Sequence, residues 1–582
     1  MRVVLAAINA KYIHSNLAVY SLKAYAHEYG EQVAIAEYTI NQQTDDILMD
    51  LYRREPDILC FSCYIWNISY VEMLVREIKK ILPGICIWVG GPEVSYDSVA
   101  VLTRLPEIDL VMKGEGEESF AGLLAQVLKK DAKNQSISYE QVDGITYRNE
   151  SGIHENKWRE IMDLSDVPFV YHQMEDFRNK IIYYETSRGC PFSCSYCLSS
   201  VDKCLRFRNL ELVDRELQFF IDHKVPQVKF VDRTFNCNHK HALHIWSYLL
   251  AHDNGITNFH FEIAADLLTE GELKLIEQMR PGLIQLEIGV QSTNIKTVKE
   301  IKRTMNFPKV ADVVHRINAM GNVHQHLDLI VGLPYEDYKS FSHSFNEVYE
   351  LLPEQLQVGF LKVLKGSYME AEKTRYGLIY QNIPPYEVLQ TNWISYQDII
   401  RLKGIEEMVE VYYNSRQFTH TMAELVHMFE TPFVLYEALG AWYDTKKLHA
   451  VSHSRVARYE ILLEFINTYD VAHISRYRAL LTYDFYLREN AKNRPLFAGE
   501  ETTTKEWVQD FYNTEAKMHK YLKGYERYDT RQLRKMTHIE RFQEQIGKSN
   551  LQSEQYILFD YQNRNPLNKE AQTYVIETSS VQ

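Results

Sequence analysis

Along residues 1–135 the apolar positions come in short continuous runs rather than in alternation. "RVVLAAI", "QVAIAEY", "DILCFS", "CIWVGG" and "IDLVM" are each long enough for a strand. Stretches apolar at helical spacing, such as "LAVYSLKAYAHEY" and "VEMLVREIKKIL", separate them. Strands apolar on both faces are covered on both faces, so this pattern predicts βαβ units around a buried parallel sheet. Five of them predict a doubly wound, flavodoxin-like domain, which binds ligands beyond the carboxyl ends of its strands.

From 136 to 176 the pattern changes. "VDGITYRNESGIHENKW" predicts a hairpin turning at Glu150, Ser151 and Gly152 within a structured linker. A second alternating series over 177–385 has the strands "KIIYYETS", "QVKFVD", "NFHFEI", "LIQLEIGV", "QHLDLIVG" and "LQVGFLKV". Six βα units of this kind predict a partial (β/α)6 TIM-like barrel, with its chemistry at the C-terminal strand ends. From 386 to 582 the spacing turns helical, as in "GIEEMVEVYYNSRQFTHTMAELVHMFE", and predicts a mostly helical accessory domain. The expected class is α/β in three domains.

Composition narrows the setting. No apolar run is long enough to span a bilayer, and the N-terminus reads as a strand rather than a signal peptide, so a cytoplasmic protein is expected. The net charge of −14 disfavours sequence-independent binding of nucleic acid. All 8 cysteines lie at or before Cys237, which argues for reduced thiols rather than a disulfide scaffold.

Three of these cysteines fall within "SRGCPFSCSYCLSS", at the spacing CxxxCxxC. Three thiolates at this spacing reach three corners of an iron–sulfur cubane and leave one iron open, whereas clusters are ordinarily held by four. Zinc is the rival, with Cys204 or His223 as a fourth ligand.

The stretch, with Tyr196 before its third cysteine and its place after the first barrel strand, resembles the radical S-adenosylmethionine (radical SAM) superfamily. The resemblance implies that Cys190, Cys194 and Cys197 hold a 4Fe–4S cluster whose free iron chelates S-adenosylmethionine, and that one electron then yields a 5′-deoxyadenosyl radical. It places Tyr196 near the adenine and Asp232, ending "FVD", near the methionine amino group. Glu262 and Asp266 in "FEIAADLL" become polar contacts, although Ala264 stands where related enzymes carry Arg. "LEIGVQS" resembles the ribose-side strand through Glu287, Gly289, Gln291 and Ser292, with Arg303 supplying charge downstream. "IVGLPYED" resembles the strand over the adenine through Gly332, Leu333 and Pro334. Taken singly, these residues also fit capping, turn or packing roles.

The preceding domain is similar to the cobalamin-binding domains fused to such enzymes. That likeness implies a corrin lined by Ser62, Tyr64, Gly90, Gly91, Pro92 and Glu93. "KYIHSNL" departs from the cobalt-ligating DxHxxG pattern at Tyr12 and Leu17, so His14 stands between a cobalt ligand and a structural residue. A nucleotide is the alternative occupant, although the first βα turn has neither GxGxxG nor a Walker pattern. Cys60, Cys63 and Cys86 read either as an auxiliary redox group or as small buried hydrophobes.

The resemblance implies methylation of an unactivated carbon in a small-molecule substrate, with a flavodoxin- or ferredoxin-type electron donor and no membrane partner. Rearrangement or cyclisation without methyl transfer is one alternative. An RNA methylthiotransferase-like reaction is another, for which "KMHKYLKGYERYDTRQLRKMTHIERF" offers a basic, aromatic-rich stretch whose bland reading is a solvated helix face. A corrinoid or cluster sensor is the non-enzymatic alternative. Neither the substrate nor the oligomeric state is legible.

Overall fold

A computed structural model describes residues 1–133, 138–500, 503–543, 546 and 554–577. Five parallel strands open the chain: β1 (Val3–Asn9), β2 (Val33–Thr39), β3 (Ile58–Ser62), β4 (Cys86–Gly90) and β5 (Leu110–Met112). Their order, β2-β1-β3-β4-β5, is the flavodoxin-like one, and each falls on its expected apolar run. Alternate residues feed two cores. Val4, Ala6 and Ile8 of β1 pack on one face with Leu59, Phe61, Ile87 and Val89. Val3, Leu5 and Ala7 pack on the other with Ile58, Trp88 and Phe120. Each large aliphatic side chain fully buried here contributes about 1.5–3 kcal/mol.

The same alternation separates two cysteines. Cys63 lies in the first core and Cys60 in the second, so the CxxC does not converge. Both are buried thiols whose acidity burial suppresses, as small hydrophobes are.

The hairpin β6 (Ile145–Asn149) and β7 (Gly152–Glu155) turns where expected, but it extends this sheet instead of bridging two domains. β6 pairs antiparallel with β5, and Lys113, 1% exposed, donates from Nζ to Glu155 (2.8 Å) and to the Asn156 carbonyl (2.9 Å).

The second series begins with β8 (Ile182–Tyr184). A two-residue ribbon, β9 (Ser187–Arg188) with β10 (Arg206–Phe207), then encloses the cysteine stretch. β11 (Gln227–Phe230), β12 (Asn258–Ile263) and β13 (Ile284–Gln291) follow, parallel in the order β8-β11-β12-β13. Helices 210–222, 239–251 and 270–277 separate them, the last opened by a Thr269–Glu272 capping box. β14 (His324–Val331) and β15 (Gln355–Phe360) complete the six expected strands.

The chain divides into two compact units. The first comprises Met1–Val323, Ile330–Tyr338 and Phe360–Tyr396. The second comprises His324–Leu329, Lys339–Gly359 and, as far as it is described, Gln397–Gln582. The second unit is helical as expected up to Met518, then closes with an antiparallel sheet the spacing did not disclose. Its strands are β16 (Thr537–Phe542), β17 (Gln555–Arg564) and β18 (Ala571–Ile576). In 517–542 the basic residues Lys517, Lys520, Lys523, Arg527, Arg531, Arg534 and Lys535 are exposed, while most of the apolar ones are packed inward. Leu522, Leu533 and Ile539 are buried in a core that Tyr521, Tyr525 and Tyr528 pack against, and the Tyr525 hydroxyl donates to the fully buried Asp560. Among the described residues no helix is long and apolar enough to cross a membrane.

Candidate functional site

The cysteine loop is positioned from several directions. Gly189 has φ +90, and a Cβ there would lie 2.6 Å from the Cys204 carbonyl oxygen, so the ribbon closes tightly only around glycine. Asp232, 0% exposed at the end of β11, accepts from the Thr186 N–H (2.9 Å), the Thr186 hydroxyl (2.6 Å) and the Ser187 hydroxyl (2.7 Å). Burial pushes its carboxyl up to about 6, against the pull of these bonds. Through these bonds Asp232 braces the strand entering the loop.

Midway along the loop Ser195 is held on both sides. Its N–H donates to the Ile301 carbonyl, and its own carbonyl accepts from the Met369 N–H, each at 2.9 Å. Arg303 donates from one Nη to the Cys194 sulfur (3.8 Å) and the Tyr196 hydroxyl (3.3 Å), and from the other to the Gly289 carbonyl. Gly289 leaves room for the Gln291 amide, which a Cβ there would displace. Cys190, Cys194 and Cys197 are free thiols. Burial raises the Cys190 thiol, and the nearby Cys197 and Cys194 add to the rise.

The inward face of the strands is polar. Tyr183, Lys229, His260 and Gln285 stand in one register row, with Glu262 and Glu287 in the next. Glu287 accepts from Lys229 Nζ and pairs with His260 Nε2, each at 3.0 Å. Burial alone would raise this carboxyl, but these two partners hold it down at about 2. Glu262 faces Arg233 at 3.7 Å. Asp266 turns away, accepting from the Asn306 N–H (3.0 Å) and thereby anchoring the start of helix 307–320. Gly332, φ +89, leaves room for Val388, whose methyl a Cβ would meet at 2.7 Å. Its smallness serves packing rather than contact with a ligand.

The strand ends of the first domain turn toward this same region. Glu115 and Glu117 pair with Arg188 (3.0 and 2.9 Å), which also binds Glu185, and Glu115 pairs with Arg206 across the ribbon. Two arginines flanking the cysteines are thus clamped onto the β5 loop. Tyr64, stacked on Trp66 at 4.4 Å, has its phenol pushed up to about 12 by burial and then by Cys63 and Glu117. Ser62 accepts from Asn16 (3.1 Å).

His14 Nδ1 lies 2.6 Å from the Tyr183 hydroxyl, and its backbone bridges to Ile181. Gly91, φ +115, would bring a Cβ within 2.5 Å of the Cys63 carbonyl oxygen, so Gly90–Pro92 form a turn tight against β3. Glu93 is 3% exposed and accepts from the Tyr386 hydroxyl (2.8 Å).

Sequence reasoning missed Arg188, Arg206, Arg233, Lys229 and His260. It also missed the strap 361–396, which brings Met369 to Ser195 and Tyr386 to Glu93. For Lys229, His260 and Glu287 a signal existed: polar residues recur at every second position on strands otherwise apolar.

The donor set fits the implied cofactors. Thiolates are the ligands of iron–sulfur clusters, and three are present here free of disulfide. Buried polar atoms without a protein partner gather beside them at Ser195 Oγ, Gln291 Oε1 and Arg303 Nε. Each such orphan costs about 1–3 kcal/mol unless a polar ligand meets it. Among the described residues no three His, Cys, Asp or Glu side chains converge as on a single ion.

Comparison with known proteins agrees. Residues 3–124 match the B12 binding domain, 184–348 the Radical SAM superfamily, and 374–559 a domain described as protein of unknown function DUF4080. The chain thus contains in series regions matching a cobalamin-binding domain, a radical SAM domain and a DUF4080 domain, and such domains imply a 4Fe–4S cluster, S-adenosylmethionine and cobalamin as cofactors.

Among curated relatives, the cobalamin-dependent radical SAM methyltransferase TokK of Streptomyces tokunonensis is 25% identical over 392 residues, 60% of this chain and 55% of that one. The 2-(S-pantetheinyl)-carbapenam-3-carboxylate methyltransferase of Streptantibioticus cattleyicolor is 25% identical over 315 residues, 51% and 45% of the two chains. The chain thus spans about half the length of the curated relatives it matches. Of solved structures, OxsB with aqua-cobalamin and S-adenosylmethionine bound aligns with a TM-score of 0.56 at 16% identity, covering 81% of this chain and 80% of that one. TsrM from Kitasatospora setae aligns at 0.54 and 15%, covering 66% and 82%. These likenesses concern the fold.

Proposed function

We propose that the protein is a cobalamin-dependent radical SAM enzyme that methylates an unactivated carbon of a small-molecule substrate. The bound cofactors would supply an electron, a 5′-deoxyadenosyl radical from S-adenosylmethionine, and a methyl carrier. The chain's own residues do the rest. Cys190, Cys194 and Cys197 would hold the cluster. Asp232, Ser195 and Gly189 fix the loop that presents them. Arg303, Gln291 and the Glu287–Lys229–His260 group line the polar face on which S-adenosylmethionine and substrate would be oriented.

The observation that carries this reading is the Arg188–Glu115–Glu117 clamp, which brings the cobalamin-binding strand ends and the cysteine loop to one place. The two methyltransferases among the relatives favour methyl transfer. The anaerobic magnesium-protoporphyrin IX monomethyl ester cyclase of Synechocystis, 26% identical over 240 residues, keeps ring formation as a second reading.

The test is anaerobic reconstitution with iron, sulfide and hydroxocobalamin, followed by metal analysis. The expected result is about four iron and about one cobalt per chain, with iron but not cobalt lost in Cys194→Ala. Iron without cobalt would remove the corrin from the reading.

A further inference from the structure

Residues 364–370 of the strap form one tight turn. The Ser367 hydroxyl donates to the Leu364 carbonyl (2.6 Å) and accepts from the Glu370 N–H (3.2 Å), and the Gly366 N–H donates to the Glu370 carboxylate (2.8 Å). Side-chain bonds of this local kind fix a turn's backbone, so it shifts as a body. One edge of the turn packs on the segment after β4. Gly366 has φ +79, and a Cβ there would lie 2.5 Å from the Tyr96 ring. Lys365 Nζ stands 4.0 Å from Glu93 and 3.6 Å from Asp97. The other edge holds the cysteine loop. The Met369 N–H donates to the Ser195 carbonyl (2.9 Å), and Lys302, beside the Ile301 that accepts from the Ser195 N–H, lies 3.3 Å from the Tyr368 ring centre. Lys365 and Met369, four positions apart, thus reach the two regions.

The contact on the β4 side has slack. Lys365 Nζ is beyond hydrogen-bonding distance of both carboxylates, and Asp97 Oδ1 is buried without a hydrogen-bond partner. An ammonium placed between two carboxylates gains by closing on either, so small shifts of the turn change this contact. Glu93 is tied to the same strap by the Tyr386 hydroxyl (2.8 Å), and the Tyr386 carbonyl accepts in turn from the Val363 N–H (3.0 Å). We propose that the turn 364–370 couples the two sites, so that a cluster in the cysteine loop tightens the binding of cobalamin beside the β4 turn. A cluster fixes the backbone at Ser195, Met369 follows it, and the turn carries the shift to Lys365 and hence to Glu93 and Asp97. Linkage makes the coupling reciprocal: cobalamin favours the loaded loop by the same factor. This coupling rests on the proposed cluster and cobalamin sites and on no particular substrate.

The experiment is anaerobic calorimetric titration of the full chain with hydroxocobalamin, once iron-free and once reconstituted with iron and sulfide. The reconstituted wild type should bind about tenfold more tightly than the iron-free form, a difference that excess hydroxocobalamin overcomes. In Lys365→Met/Tyr386→Phe the two forms should agree within about twofold, with iron content equal to that of the wild type. Lys365→Met alone keeps the Glu93–Tyr386 bond, and should narrow the difference to about threefold or less. Lys373→Met, on an exposed part of the same strap, should keep the full difference. A wild-type difference below about twofold, or a full difference retained in both Lys365 variants, would overturn the coupling. Failure of both wild-type forms to bind hydroxocobalamin would instead remove the corrin from the reading, and the coupling with it.

Discussion

At the residue scale the decisive groups are those whose partners only the structure makes known. Asp232 ends a strand beside the cysteines, and three hydrogen bonds to Thr186 and Ser187 make it a brace. Its folded pKa of about 6 lies above that of an ordinary aspartate. Its contribution to stability is therefore full below about pH 4 and lost as pH rises through about 6, a swing of about 3 kcal/mol. Asp232→Asn removes the titration. Denaturant unfolding should show the variant's deficit largest near pH 4 and narrowed by about that amount at pH 7; parallel pH profiles would contradict the assignment. Gly189→Ala meets both a left-handed φ and a carbonyl at 2.6 Å, so it should cost about 2 kcal/mol or more and lower the iron retained after reconstitution. Glu93 and His14 also have partners remote in sequence: Tyr386 donates to Glu93, and Tyr183 meets His14 at Nδ1.

At the element scale, local pattern carried the prediction wherever a strand is covered on both faces. The five strands of the first domain fall on their apolar runs because burial alone selects such runs, and β8, β11, β12 and β13 fall where buried apolar residues alternate with the polar inward face. Pattern could not say that β6 and β7 join the first sheet, since a hairpin looks the same whichever edge it pairs with. The terminal sheet was hidden because β16, "THIERF", mixes charge with apolar residues and turns buried only when β17 covers it. The two-residue ribbon β9–β10 had no pattern at all; arginine clamps hold it. Arg188→Leu leaves Glu117 and Glu185 without their arginine, while Glu115 keeps Arg206. It should destabilise the first unit by about 2 kcal/mol, below the fully buried limit because the pair is partly exposed. Adding Glu117→Leu should recover part of that loss in thermal unfolding. A double variant no better than the single would show that the clamp is not what joins the ribbon to the β5 loop.

At the scale of the whole molecule, two compact units with separate cores predict two resolvable transitions in scanning calorimetry. Tyr525→Phe, which removes the bond to buried Asp560, should lower only the second-unit transition, by about 1 kcal/mol, and leave the cluster chemistry intact. Such a variant that abolished activity would assign the second unit a direct part in the reaction. The account as a whole turns on the cysteine loop being a radical SAM centre, and one assay addresses that directly. Anaerobically reconstituted protein is reduced with dithionite in the presence of S-adenosylmethionine, and 5′-deoxyadenosine is quantified by chromatography. Formation of deoxyadenosine by the wild type, with none above background from Cys194→Ala, is the result the structure predicts. An equal yield from both, or none from a wild type carrying its full complement of iron, would contradict it.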